Sequence, residues 1–323
     1  MKAVVLTGEG LALREVPVPE PKPNEVLVKV AASGLNRADL IMAAGRPHGA
    51  LGGAGAVAGL EWAGEVVEVG AEVPEFRPGD RVMCSGAGGY AEYAVTDWGR
   101  VCPLPRAAPG PVDAATLPIA LQTMHDALVT NGRLAAGESV LIQGASSGVG
   151  LMAIQIARLK GAGTILATSR DADRRTRLTE FGADLALDPG DPAWVEQARD
   201  ATGGRGVDLT IDQVSGSLAN QTMQTAAVLG RIVNVGRLGG FSAEFDFDLH
   251  ALKRIAYVGV TFRTRSIEEV RAINAAMRAD IWEAVESGAL SLPIDRTFPL
   301  EQAAEAQAHM RANAHFGKIV LTV

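Results

Sequence analysis

Val140-Leu-Ile-Gln-Gly-Ala-Ser-Ser-Gly-Val-Gly150, continued by Leu151 to Lys160, is the stretch that decides the fold. A short β-branched run breaks into a glycine-rich turn and then into an apolar-periodic helix, the order that a phosphate-cradling βα unit requires. Gly144, Gly148 and Gly150 give the spacing G-x-x-x-G-x-G. These glycines suit a tight turn, an approach of backbone to pyrophosphate with no Cβ in the way, and close packing of helix on strand. The free N–H groups and positive dipole end of the helix then face the anion. The turn residues Ser146, Ser147 and Val149 join the glycines as candidate coenzyme contacts. Glycine-rich turns also close ordinary βα units, so the weight rests on the ordered series of strand, turn, helix and next strand.

That next strand, Thr164 to Thr168, chooses the dinucleotide. An NAD enzyme usually ends it with an Asp or Glu that bonds the ribose 2′-hydroxyl. Here it ends in Thr168-Ser169-Arg170, with Arg174 and Arg175 just beyond. A carboxylate would repel a 2′-phosphate, whereas guanidinium and hydroxyl donors attract it. Ser169, Arg170 and Arg174 are therefore the expected selectivity residues, and NADPH is expected over NADH. The competing reading makes these arginines a solvated first turn of a helix running to Phe181, with Asp171 and Asp173 as dipole partners.

The remaining bounds are broad. At 323 residues, two domains are the natural expectation. A net charge of −7 gives no electrostatic case for nucleic acid or an anionic membrane as partner. Met1-Lys2-Ala3-Val4-Val5-Leu6 runs at once into Thr7-Gly8-Glu9, no apolar run reaches bilayer length, and a soluble cytoplasmic protein is expected. Two cysteines, Cys84 and Cys102, are too few for a disulfide framework or a Cys-rich zinc site and read as buried thiols.

Residues 2 to about 110 read as many short strands with Gly/Pro punctuation: 2–6, 11–16, 25–31 and 61–69 are strand candidates, with one short helix over 37–44. Gly45 to Gly59 is a loop of unusual Gly/Ala content. The run 88–95 alternates as a half-buried strand would, which puts Tyr90 and Tyr93 on opposite faces. Asp113 to Thr130 turns helical with a kink or break at Pro118. Strands at 140–143, 164–168, 185–187, 207–212 and 231–235 then alternate with helices such as 151–161 and 217–228, the pattern of a parallel sheet covered on both faces. A strand over 255–262, a long helix over 268–286 and a closing strand, helix, strand over 291–323 complete the chain.

Gly34-Leu-Asn-Arg-Ala-Asp-Leu40, Gly59-Leu-Glu-Trp-Ala-Gly-Glu-Val66, Pro78-Gly-Asp-Arg-Val82, Gly89-Tyr-Ala-Glu-Tyr93, the phosphate turn and Gly317-Lys-Ile-Val-Leu321 occur in an order that resembles the zinc-free quinone oxidoreductase (ζ-crystallin-like) family of the medium-chain dehydrogenase/reductase superfamily. The resemblance covers essentially the whole chain. It implies an α/β protein: a GroES-like, β-rich substrate domain from residues 1–118 and 264–323, and a Rossmann domain with a doubly wound parallel sheet from residues 119–263. It places the active site in the cleft between them.

Zinc-dependent relatives carry a Cys, a His and a further Cys where this chain has Asn36, Leu60 and, nearby, Ile119. No thiolate or imidazole stands there, so no metal ligand is expected. Without a Lewis acid the acceptor must already be electrophilic, a quinone or an α,β-unsaturated carbonyl, and the protein contributes orientation. Asn36 is the candidate polar group at the reacting centre, although an Asn there also caps the helix that follows. Thr123 matches a position near nicotinamide, where the alternative is a hydroxyl bonded to its own helix. Ile41 stands where enoyl reductases of the superfamily often carry a proton-donating Tyr, which leaves solvent as the proton source.

Further coenzyme contacts implied by the resemblance are Val214, the loop Asn234-Val235-Gly236, and Phe262 with Arg263. Two departures accompany them: the family's Tyr for the 2′-phosphate falls near Asp188, and a C-terminal basic residue falls near Asn313. His125 and Asp126 read as surface groups of a helix. The apolar strand late in the Rossmann unit is expected to pair with its copy in a homodimer. Three readings remain open: an NADPH-dependent reductase of quinones or activated enones, an enoyl-thioester reductase of a fatty-acid or polyketide system, and an NADPH-binding sensor or structural protein without turnover.

Overall fold

Ser139–Ile142 is buried at every position. A strand with no exposed face needs cover on both sides, and the chain supplies it by crossing over through helices. The computed structural model, which describes every residue except Pro47, shows six parallel strands in the spatial order Leu185–Leu187, Thr164–Thr168, Ser139–Ile142, Val207–Asp212, Ala226–Asn234, Ala256–Gly259. Numbered within the sheet this is 3-2-1-4-5-6. The order reverses between Ser139–Ile142 and Val207–Asp212, which is where open α/β sheets bind ligands, beyond the strands' carboxyl ends. These strands belong to a compact unit spanning Thr123–Thr261.

The helix after the first strand, Gly148–Leu159, buries eight of its residues, among them Leu151, Met152, Ile154 and Ile156. It is apolar on nearly all sides because it packs against the sheet and the neighbouring helical turn at Leu178–Phe181. Gly161, at φ +77°, ends the run beyond it.

The second compact unit joins Met1–Gln122 with Phe262–Val323. Its main sheet runs Ile294–Pro299, Lys318–Thr322, Glu25–Gly34, Glu61–Val69, Arg81–Ser85, Val101–Pro103, with Tyr93–Asp97 also on Glu25–Gly34. The C-terminal strand Lys318–Thr322 pairs antiparallel with Glu25–Gly34, so both ends of the chain build this unit. One core gathers Val4, Leu35, Met42, Leu60, Tyr90, Ile319 and Leu321. The other is centred on Trp62, Val28, Val82 and Cys84. Burial pushes the Cys84 thiol well above its ordinary range and the Cys102 thiol up to about 12, so both are inert packing groups.

Several expectations need correction. The helix expected over 217–228 stops at Thr225, and the chain is extended from Ala226 to Asn234. Leu229, at φ +66°, and Gly230 interrupt that strand's pattern, which hid its start. The alternation over 88–95 becomes a strand only from Tyr93, because Tyr90 turns inward and is wholly buried. The segment 113–130 divides into Pro111–Ala114, Pro118–His125 and a π-helical turn over Asp126–Asn131. His125 and Asp126 are buried rather than surface groups, in a segment where Ala120, Leu121, Met124, Ala127 and Leu128 are buried as well. The late edge strand is shorter than expected, Ala256–Gly259. Among the described residues no helix is long and apolar enough to cross a membrane.

Candidate active site

The glycine turn is shaped from beneath by a buried lattice of neutral side chains. Gly144, at φ +69°, sits in the left-handed region that a residue with a Cβ rarely adopts. Its N–H donates to Thr168 Oγ1 at 3.1 Å, and Thr168 Oγ1 donates to Gln143 Oε1 at 3.0 Å. Gln143 Nε2 in turn donates to Thr222 Oγ1 at 2.8 Å. Ala145 N–H donates to Thr168 O at 2.9 Å, which ties the turn to the end of the second strand. Ser147 is the N-cap of the helix and accepts from Gly150 N at 3.1 Å. The Ser147 hydroxyl lies 3.1 Å from both Gly144 O and Gln213 Oε1. At Gly150 a Cβ would meet Ala145 O at 2.6 Å, so this position holds only glycine.

Val214, Asn234 and Gly236 join this turn at the carboxyl ends of the sheet. A Cβ on Gly144 would touch Val214 Cγ2 at 3.4 Å, and one on Gly236 would strike Gln213 O at 2.5 Å. Asp212 accepts from Val214 N at 2.9 Å and Ser215 N at 2.8 Å, and burial pushes its carboxyl up against the pull of those bonds. Asn234 Nδ2 donates to Ser215 Oγ, which donates to Gly236 O at 2.8 Å. Val235 N–H donates to Asp212 O at 2.8 Å. Ser169 Oγ is 3.4 Å from Ser146 Oγ, so the end of the second strand and the turn are adjacent.

A dinucleotide fits these residues. Beside the capping Ser147, the buried Gln213 Nε2 has no acceptor among the described residues. A buried amide donor without a partner costs about 1–3 kcal/mol, and a phosphate or ribose oxygen is the acceptor it suits. Gly144 and Gly236 leave backbone unshielded around it.

The arginines beyond Ser169 are partly engaged. Arg170 is exposed. Arg174 Nε lies 3.9 Å from Asp171 Oδ2, and Asp171 caps the helix Ala172–Arg177. Arg175 reaches back: its NH1 donates to Ser169 O at 2.8 Å and to Asp188 Oδ2 at 2.9 Å. Phe262 and Arg263 belong to the other unit, where the Arg263 backbone runs beside Gly49. Thr123, half-buried, is the first residue of the unit that carries the turn.

In the GroES-like unit, Asn36 is held by formal charges. Glu61 and Lys318 form an ion pair whose side chains are 0 % and 5 % exposed. Lys318 Nζ also donates to Leu35 O at 3.0 Å and to Asn36 Oδ1 at 3.1 Å. Glu61 Oε1 accepts from Asn36 Nδ2 at 2.8 Å, and Oε2 accepts from Ile119 N at 2.9 Å. Both ends of the Asn36 amide are thereby fixed, and one Nδ2 proton is left over. Gly34 makes room, because a Cβ there would lie 2.6 Å from Glu61 Oε1. Asn36 is also the N-cap of Arg37–Ala43, as expected, with Asp39 closing a capping box.

Asp39 accepts from Asn36 N at 2.7 Å and from Tyr90 Oη at 2.9 Å. Burial raises its carboxyl to about 7 despite those two bonds and the nearby Lys318. Among the described residues, no cluster of three or more His, Cys, Asp or Glu side chains is arranged to hold a metal ion. Glu61, Lys318, Gln143 and Gln213 were not anticipated as site residues. Glu61 and Lys318 lie inside the stretches 59–66 and 317–321 that carried the resemblance, so the signal was present. Nothing local marks the two glutamines, each of which simply follows an apolar strand.

Comparison with known proteins agrees with this architecture. Residues 22–106 match the alcohol dehydrogenase GroES-like domain, and residues 148–278 match the zinc-binding dehydrogenase family. Human quinone oxidoreductase is 31% identical over 324 residues, covering 97% of this chain and 94% of its own. The rat quinone oxidoreductase is 30% identical, covering 95% and 92%. A mycocerosic acid synthase-like polyketide synthase of Mycobacterium tuberculosis is 32% identical over 98% of this chain, which spans only 15% of that synthase. An alcohol dehydrogenase superfamily protein from Novosphingobium aromaticivorans superposes with a TM-score of 0.89 at 31% identity, covering 100% of this chain and 99% of that one. Escherichia coli quinone oxidoreductase complexed with NADPH has the same fold, with a TM-score of 0.89 at 22% identity and full coverage of both chains. The chain belongs to the quinone oxidoreductase family of the medium-chain dehydrogenase/reductase superfamily.

Proposed function

We propose that this oxidoreductase uses NADPH to reduce a quinone or an activated α,β-unsaturated carbonyl without zinc. The observation that carries the reading is the donor set around Asn36. Where a metal enzyme needs a thiolate, this chain has an amide whose two ends are already bound to Glu61 and Lys318. Leu60 and Ile119 add no ligand.

When bound, the reduced nicotinamide supplies a hydride. The turn from Gly144 to Gly150, with Ser169, Val214 and Asn234 to Gly236, holds and orients the dinucleotide. The acceptor becomes a hydroquinone anion or an enolate, which is delocalised and needs only modest stabilisation before a proton arrives from solvent. The free Nδ2 proton of Asn36 is suited to the developing oxygen charge. Glu61 and Lys318 act as positioning residues that prevent the amide from turning away. Thr123 is assigned to the nicotinamide.

The enoyl-thioester reading is favoured by the similarity to polyketide synthases. It is weakened by Ile41 at the expected donor position. Following NADPH oxidation with 1,4-benzoquinone, 9,10-phenanthrenequinone and an enoyl thioester separates the possibilities. Turnover of the quinones is expected. Turnover of the thioester alone would transfer the protein to the second reading, and flat traces beside tight NADPH binding would make it a sensor.

We further propose a homodimer through the sheet edge at Ala256–Gly259. The preceding helix, Phe247–Lys253, leaves Phe247 and Leu252 more than 70% exposed (76% and 73%), and the edge strand pairs with no strand on its outer side among the described residues. A monomeric mass in sedimentation at micromolar concentration would discard it.

A further inference from the structure

We infer that Asp188 sets this chain's coenzyme selectivity by holding Arg175 away from full engagement with a 2′-phosphate. The inference rests on the reading of the Thr123–Thr261 unit as the NADPH site. Ser169 stands at the carboxyl end of the second strand, where a 2′ substituent of the adenosine ribose belongs in this fold. Of the arginines that follow it, Arg175 bonds back to the strand end, through Ser169 O at 2.8 Å.

The same NH1 donates to Asp188 Oδ2 at 2.9 Å. Asp188 follows the strand Leu185–Leu187, which lies beside Thr164–Thr168, so its place is fixed by the sheet rather than by a free loop. Its Oδ1 accepts from Gly190 N at 2.9 Å, which anchors the carboxylate independently of the arginine. The guanidinium is one-fifth exposed and the carboxylate one-third exposed (22% and 33%), so the pair is only partly screened by solvent.

Two consequences follow for the ligand. A dianionic 2′-phosphate meets a cation whose charge is already balanced, and a carboxylate one guanidinium width behind it. A plain 2′-hydroxyl meets neither penalty, because it carries no charge. Asp188 thus selectively weakens the phosphorylated coenzyme and leaves NADH untouched. Arg174 is tempered in the same sense by Asp171, at 3.9 Å, but less closely.

Asp188→Asn tests this, because Asn Oδ1 retains the bond to Gly190 N while the charge is removed. Dissociation constants for NADPH, NADH, adenosine 2′,5′-bisphosphate and 5′-AMP are measured by titration calorimetry on the full chain. Thermal midpoints confirm that each variant is folded. The expected result is roughly tenfold tighter binding of NADPH and of the bisphosphate, with NADH and 5′-AMP unchanged within twofold. Arg175→Ala should then weaken NADPH more in the Asp188→Asn background than in the wild type.

An unchanged or weaker NADPH affinity in Asp188→Asn, with wild-type protein that binds NADPH, overturns the inference and leaves the coenzyme reading intact. A wild type that prefers NADH but gains NADPH affinity on substitution supports the inference and overturns the NADPH preference. Failure of both proteins to bind any of the four probes overturns both.

Discussion

The two polar centres, one in each unit, bury their groups by opposite means. In the GroES-like unit, Asn36 is gripped by a buried ammonium and a buried carboxylate, with a second carboxyl, Asp39, bonded to its backbone N–H. In the sheet unit, the glycine turn rests on Gln143, Thr168, Thr222, Ser147 and Gln213, none of which carries a charge. The difference follows from what each region handles. A turn that receives a polyanion is best built from neutral dipoles and backbone N–H groups, since any internal charge would be felt by the ligand. An amide that must hold one orientation is fixed most firmly by charge-assisted bonds. Two carboxyls stand at its margins: Asp212, which braces the backbone of Val214 and Ser215, and Asp188, on which the selectivity inference rests.

The contrast can be broken most sharply at Lys318. Lys318→Met leaves Glu61 buried with its counter-ion gone, and a loss of about 3–5 kcal/mol in stability is expected from chemical denaturation. Pairing it with Glu61→Gln should recover a large part of that loss. Equal losses in the single and double variants would show that the ion pair does not act as a unit.

The next effect belongs to Asp39. Its folded-state value is about 7 against 3.8 in the unfolded chain, so between those values the native state binds the extra proton. Stability contributed by this group is therefore full below pH 4, declines as pH rises towards 7, and is flat above. Asp39→Asn, whose amide oxygen still accepts from Asn36 N and Tyr90 Oη, should remove that decline, a difference on the order of 3 kcal/mol between pH 4 and pH 8. Parallel pH profiles for variant and wild type would mean that Asp39 is ionised in the folded protein.

Gln143→Leu strikes the neutral lattice instead. Thr168 and Thr222 each lose one buried partner, and a cost of about 1–3 kcal/mol is expected, independent of pH from 5 to 8. NADPH affinity should fall with it as the turn loosens, while binding at the Asn36 side is untouched. A pH-dependent loss would contradict the division between charged and neutral regions. The last change is Asn36→Ala, which takes one partner each from the buried Lys318 and Glu61, a cost of about 1–3 kcal/mol. Its main effect is on turnover: kcat is expected to fall about 100-fold with the NADPH dissociation constant unchanged. A kcat within twofold of wild type would remove Asn36 from the reaction.

The contrast also explains what was legible in the chain. The glycine turn was readable because its geometry is dictated locally: Gly144 needs a positive φ and Gly150 tolerates no Cβ, and neighbours in sequence show both. The parallel sheet followed from strand and helix alternation. The Asn36 centre was only half readable, since Glu61 is 25 residues and Lys318 282 residues away from it along the chain, and no local pattern couples them. Helix and strand periodicity failed at 226–230, where a left-handed Leu229 breaks the alternation, and at His125 and Asp126, where polar side chains are carried inward with the buried helical segment that holds them. Arg175 was visible as a charge near Ser169. Its bond to Asp188 depends on the pairing of two neighbouring strands, which sequence spacing does not encode.

The most direct test is the zinc content and the quinone reductase rate of one and the same preparation after exhaustive dialysis against a chelator. NADPH oxidation by 9,10-phenanthrenequinone at the undiminished rate is expected in protein with only trace zinc. Activity that is lost on dialysis and restored by stoichiometric zinc would contradict it.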